Sequence, residues 1–189
     1  VLADPLVLQT LPDEELRSGM AEVVKHGIIS DPALFATCAR GWSEVRPNLD
    51  EIVRRAIGVK AGVIQADPYE QGLRASLNLG HTLGHGLEVA SGYRLRHGEA
   101  VSIGIVAATR LAVRKEIASP ELNMEIQQVL DGLGLPTEIP PDLDRSLIAA
   151  AIGLDKKRSG GKVRFVLPVW IGKVRTGVEI EDILEVFDS

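Results

Sequence analysis

Cysteine is nearly absent: Cys38 is the single one in 189 residues. That excludes an internal disulfide framework and fits a reducing, cytosolic compartment. Alone, such a thiol reads as a small apolar core residue rather than a reactive group. Aromatic residues make up only 4% of the chain, so the core must be filled by Leu, Ile, Val and Ala, which favours packed helices. A basic excess is missing too. The net charge of -5 argues against nucleic acid or an anionic membrane surface as main partner, because both need a cationic footprint; local cationic clusters remain open. No apolar stretch reaches the ~18 residues of a membrane span, and even AVSIGIVAATRLAV is interrupted by Arg110. The first residues, VLADPLVLQTLPDEE, carry no basic region, apolar run and cleavage site of a secretory signal. The expectation is a soluble, cytoplasmic protein. What is abundant is hydrophobic residues, 45%, enough for one domain spanning 1–189.

Helical periodicity and its punctuation organise most of the chain. Leu11-Pro12-Asp13-Glu14 reads as a helix start, and Leu16, Met20, Val23 and Val24 continue it to Gly27. A short helix follows Ser30-Asp31-Pro32 and stops near Gly41. From Asp50 to about Ala66, apolar positions recur among charges until Asp67-Pro68. The stretch from Tyr69 to Leu77 gives no clear pattern. Further helices are expected from Asn78 to Ser91, from about Gly98 to Ile117, and from Ser119-Pro120 to Gly132. KVRFVLP (162–168) and VWIGKVR (169–175) are β-prone runs, most simply a hairpin, with a closing helix from about Glu179. The fold class is mainly α: a multihelical domain with a small β-hairpin near its C-terminus.

Chemistry concentrates in LRASLNLGHTLGHGLE, residues 73–88. Arg74, Asn78, His81 and His85 lie four, three and four residues apart. On one helix they would share an arc of roughly 60°. Gly80, Gly84 and Gly86 cost such a helix about 1 kcal/mol each, so something must approach its backbone closely. The bland alternative is a solvent-exposed polar face. In GMAEVVKHG, Glu22 and Lys25 share a helix face among residues expected to be buried, or form an ordinary surface ion pair. In RLRHGEA, His97 stands before a helix between Arg94, Arg96 and Glu99, or is merely a turn histidine. In GLDKKRSGGK, Lys156 and Lys157 occupy a glycine-containing loop, or a solvated charge run. Together, one carboxylate and two histidines can form a three-ligand divalent-metal site with positions open for substrate. Lysines and an arginine beside it suit an anionic ligand withdrawn from water.

The runs VLADPLVLQTLP, SGMAEVVKHG, ADPYEQGLRASLNLGHTLGHGLE, HGEAVSIG and DKKRSGGKVRFVLP cover nearly the whole chain. They resemble the C-terminal domain of the 3-dehydroquinate synthase family, of the shikimate pathway. The resemblance implies a Zn2+ or Co2+ site with Glu22, His81 and His97 as ligands. It implies catalytic roles for Lys25 and His85, with Glu70 as a supporting acidic position. It implies substrate contacts at Lys60, Arg74 and Asn78, and at one of Lys156 and Lys157. In that family 3-deoxy-D-arabino-heptulosonate 7-phosphate is oxidised by NAD, loses phosphate, is reduced again and closes to 3-dehydroquinate by an aldol step. The resemblance also implies homodimerisation and an N-terminal NAD-binding domain. This chain has no glycine-rich strand-to-helix dinucleotide turn, and GHTLGHG lacks the preceding strand. The isolated chain is therefore expected not to turn over. Competing readings are a related sugar phosphate cyclase of the valiolone or inosose type, a more remote metal alcohol dehydrogenase, and a non-catalytic helical metal-binding module.

Overall fold

The computed structural model describes residues 3–69 and 71–153, the backbone of 154–158, and residues 163–187. After a 3-10 turn at Pro5–Thr10, the α-helices are α1 (Asp13–Ser30), α2 (Pro32–Cys38), α3 (Trp42–Val45), α4 (Leu49–Ala66), α5 (His81–Ala90), α6 (His97–Arg114), α7 (Pro120–Gly132) and α8 (Arg145–Arg158). An antiparallel hairpin follows, β1 (Val163–Trp170) and β2 (Lys173–Ile180), with Val163 opposite Ile180. A 3-10 turn over Ile183–Phe187 comes last among the described residues.

The starts follow local chemistry. Asp13, Glu14 and Glu15 sit in the first turn of α1, where the positive end of the helix dipole favours them. The Asp31 carboxylate accepts the Leu34 N–H to cap α2, and Ser119 does the same for α7 ahead of Pro120. A reciprocal cap opens α6, where the Glu99 carboxylate accepts the Arg96 N–H at 2.8 Å.

The core is aliphatic and centred on α6, buried from Gly98 to Ala112 apart from Glu99 and Arg110. A helix buried all round must be touched on every side, and α1, α5, α7 and β1 surround it. Cys38 lies in this core, where burial pushes its thiol up to about 12, so it serves packing rather than chemistry.

Four expectations are corrected. The helix expected from Asn78 to Ser91 begins only at His81: a 3-10 turn covers Leu73–Asn78, and Gly80 takes φ +78° ahead of α5. Arg74 and Asn78 therefore share no helical stripe with His81 and His85. Gly80 supplies the break because its carbonyl is wedged against α6. A Cβ at Gly104 would lie 2.0 Å from Gly80 O, and one at Gly80 would meet Val101 O at 2.8 Å. The backbone of α6 does approach Gly80 and Gly84 closely, whereas Gly86 packs against Ile148 and Ile152 of α8. The closing helix from Glu179 is instead the end of β2, with Glu179 opposite Arg164. Lys156 and Lys157 lie in the last turn of α8 rather than a loop. That helix and the short α3 went unassigned in the sequence.

Candidate metal centre

Three helices each contribute one ligand-type side chain. Glu22 stands midway along α1, His81 opens α5 and His97 opens α6. Among the described residues these three bring one ligand atom each to within 4.8 Å of one another. His81 Nε2 and His97 Nε2 both lie 3.4 Å from Glu22 Oε1. Bonds of 2.0–2.2 Å in a tetrahedral zinc site would set neighbouring ligand atoms roughly 3.3–3.5 Å apart. Glu22 Oε1 is buried and has no hydrogen-bond donor among the described residues, a costly condition for a carboxylate oxygen unless a cation completes it. The donor set, its spacing and this orphaned oxygen fit a divalent ion.

The second carboxylate oxygen is occupied. Lys25, one turn along α1 and only 3% exposed, places Nζ 2.7 Å from Glu22 Oε2 and donates to Leu77 O, also at 2.7 Å. Burial raises the Glu22 pKa, but the charge and hydrogen bond of Lys25, with His81 and His26 nearby, more than offset it and hold the carboxyl below the usual range. Burial lowers the Lys25 ammonium, and Glu22 only partly restores it. The His81 imidazole is lowered by burial and then by Lys25, which keeps it neutral and able to ligate.

These groups line a cleft of about 460 Å³ that also takes in His26, Lys60, Arg74, Leu77 and Asn78. The 3-10 turn that carries Arg74 and Asn78 is organised by Asp67, whose carboxylate accepts the N–H groups of Gln71, Gly72 and Arg74 at 2.7, 2.8 and 3.0 Å. His85, one turn beyond His81, is exposed, with ring centres 5.4 Å from His81 and 6.3 Å from His97. Glu70 and the side chains of Lys156 and Lys157 lie outside the described residues.

Sequence reasoning passed over three residues that shape the site. Asp67 was read only as a helix stop. His26 is 6% exposed, its Nδ1 has no hydrogen-bond partner among the described residues, and burial followed by the Lys25 charge pushes its pKa down to about 4. Glu88 closes the GHTLGHGLE run and bonds His97 from α5; its distance of two helical turns from His81 was the signal available.

The helical domain gathers two helix-opening imidazoles and one mid-helix carboxylate beside a lysine-and-arginine cleft, a donor set that could hold a metal ion. Residues 19–158 match the family model described as 3-dehydroquinate synthase C-terminal, and the chain belongs to that family. The 3-dehydroquinate synthase of Nostoc punctiforme is 46% identical over 187 residues, covering 95% of this chain and 52% of that protein. That of Synechocystis is 43% identical over 189 residues, covering 96% and 52%. The chain thus spans about half the length of the curated relatives it matches. The backbone is similar to 2-deoxy-scyllo-inosose synthase complexed with carbaglucose-6-phosphate, NAD+ and Co2+, with a TM-score of 0.84 at 25% identity, over 98% of this chain and 53% of that one. It is similar also to 2-epi-5-epi-valiolone synthase from Streptomyces hygroscopicus with NAD+ and Zn2+ bound, with a TM-score of 0.81 at 26% identity, over 97% and 52%.

Proposed function

We propose that this chain is the metal- and substrate-binding half of a cytoplasmic, homodimeric 3-dehydroquinate synthase, with residues 1–189 forming one unit. In this reading the other half binds NAD, and the substrate is 3-deoxy-D-arabino-heptulosonate 7-phosphate. The observation that carries the reading is the orphaned Glu22 Oε1 facing two imidazole Nε2 atoms, next to a cationic cleft. Identity favours this over the related cyclases: it is 46% to the 3-dehydroquinate synthase of Nostoc punctiforme but only 25–26% to the inosose and valiolone enzymes.

Glu22, His81 and His97 would hold Zn2+ or Co2+, which when bound supplies Lewis acidity to a substrate oxygen. Lys60 and Arg74 bind the carboxylate and phosphate of the substrate, since cations at a half-enclosed wall replace the water those anions lose. Asn78 offers an amide to a hydroxyl. Lys25, depressed by burial and anchored at both Glu22 and Leu77, donates to substrate oxygen or releases a proton at Nζ more readily than a surface lysine does. His85, at the exposed rim, exchanges protons between substrate and water. Family resemblance alone adds Glu70 as a supporting acidic position and one of Lys156 and Lys157 as a substrate contact. Without the NAD-binding half, the chain has no hydride carrier and does not turn over.

The test is metal content by elemental analysis, together with turnover, in the whole protein. Glu22→Ala, His81→Ala and His97→Ala each lose most of the metal and the activity, whereas His85→Ala keeps its metal and loses only rate. Retention of stoichiometric metal by all three ligand variants overturns the assignment.

A further inference from the structure

His97 opens α6 with its side chain 47% exposed, far more than His81 at 17%. An exposed ring at the first residue of a helix has both χ2 orientations and both tautomers open to it. Only one combination turns an Nε2 lone pair toward Glu22. His81 is fixed by its own chain, with Nδ1 3.1 Å from Leu79 O. A carbonyl only accepts, so that Nδ1 carries the proton and Nε2 the lone pair.

Among the described residues, no such carbonyl meets His97. Its Nδ1 lies 3.2 Å from Oε1 of Glu88, whose side chain is 17% exposed and comes from the last turns of α5. We propose that Glu88 is a positioning residue: its carboxylate takes the Nδ1 proton of His97 in a hydrogen bond, fixes the ring, and leaves Nε2 as the face presented to Glu22. The two histidines are oriented alike by different acceptors, a main-chain carbonyl for the buried ring and a carboxylate reaching across from a second helix for the exposed one. A carboxylate in that place also raises the basicity of the ligating nitrogen, as outer carboxylates do in histidine metal sites. The backbone carbonyl of Glu88, which accepts from Tyr93 N–H and Ser91 Oγ, is untouched by side-chain substitution, so the turn into α6 survives the test.

The inference rests on the metal reading above, and one of its two measurements is independent of metal. In the metal-free whole protein with 15N-labelled histidine, the His97 ring shows the Nδ1–H tautomer, and Glu88→Ala shifts it toward Nε2–H, the form preferred in water. In competition with a chromophoric chelator, Glu88→Ala weakens Co2+ binding by about 10- to 100-fold and changes the Co2+ absorption spectrum. Glu88→Gln, whose amide oxygen still accepts from Nδ1, weakens it less. Unchanged tautomer, affinity and spectrum in Glu88→Ala overturn the proposal while leaving the metal reading standing. A shifted tautomer in a protein that takes up no Co2+, with or without Glu88, upholds the positioning of the ring and sinks the metal reading instead.

Discussion

Gly98 follows His97 directly, and an ideal Cβ built on it lies 1.8 Å from the main-chain oxygen of Ser18 and 2.7 Å from Ser18 Oγ. In an isolated helix, Gly98→Ala would stabilise by about 1 kcal/mol. Here the contact must open from 1.8 Å to no less than 3.0 Å, a movement of at least 1.2 Å. The obstacle is the backbone of α1, so no rotamer change relieves it. Overpacking of this kind costs roughly 1–3 kcal/mol and occasionally more, which outweighs the propensity gain. The consequence for the site is larger than that for the fold. Glu22 is one turn from Ser18 on α1, and His97 is the next residue to Gly98, so prying the two helices apart separates two ligand atoms that now stand 3.4 Å apart. Metal sites hold their distances within ~0.2 Å, so a ligand displaced by about 1 Å is lost to the site, a larger change than the ~10- to 100-fold that losing an outer-shell partner costs. Gly98→Ala is therefore expected to bind Co2+ or Zn2+ at least 100-fold more weakly in a chelator competition, with only a modest fall in the urea midpoint. Wild-type metal affinity in a folded Gly98→Ala protein would refute the reasoning.

The organisation of the substrate turn gives a second expectation. Asp67→Ala removes the acceptor of three backbone N–H groups, and the hydrogen bonds led by that of Arg74 hold this carboxyl below its usual range. KM should rise several-fold while metal content stays the same; an unchanged KM would show that the turn needs no such anchor. A third concerns pH. The folded pKa of His26 is about 4 against roughly 6.5 in the unfolded chain. The neutral ring therefore stabilises the fold above 6.5, and that contribution, at most about 3 kcal/mol, is lost as pH falls toward 4. In the metal-free protein His26→Gln should flatten the stability curve across this window, and an equally steep curve in the variant would count against it.

Helices whose apolar period ends at a proline or glycine could be read from the chain: α1, α4, α6 and α7 lie close to where Leu16, Met20, Val23 and Val24, the run from Asp50 to Ala66, and the Pro120–Gly132 segment put them. The break before His81 could not. Leu77, Leu79, Leu83 and Leu87 suit a continuous helix, and only the wedge of Gly80 O against Gly104, 24 residues away along the chain, forbids it. β2 likewise extends through Glu179 because Val163 and Arg164 pair with Ile180 and Glu179, a partner that local propensity does not see. At the site, spacing puts Arg74, Asn78, His81 and His85 together and pairs Glu22 with Lys25, while the choice of Glu22, His81 and His97 as ligands comes from the family resemblance. Sequence reasoning gave no weight to Glu88, although Glu88 lies two helical turns from His81, and none to His26, since the burial of a ring has no local signature.

Close packing, more than charge, sets the registry of this site. Arg96 links the start of α6 to Glu14 and Glu15 on α1 and to Glu99 in its own first turn, but these are solvent-facing pairs, worth roughly 0–1 kcal/mol each. They steer α6 toward α1 without fixing it to a fraction of an ångström. The contacts that do so are Gly98 on Ser18 and Gly104 on Gly80, where missing side chains let backbone meet backbone. One locks the helix of His97 to that of Glu22, and the other locks it to the residue just before His81. Three candidate ligand atoms from distant parts of the sequence thereby inherit their spacing from the steepest term available in a protein interior, the repulsion between backbone atoms already in contact.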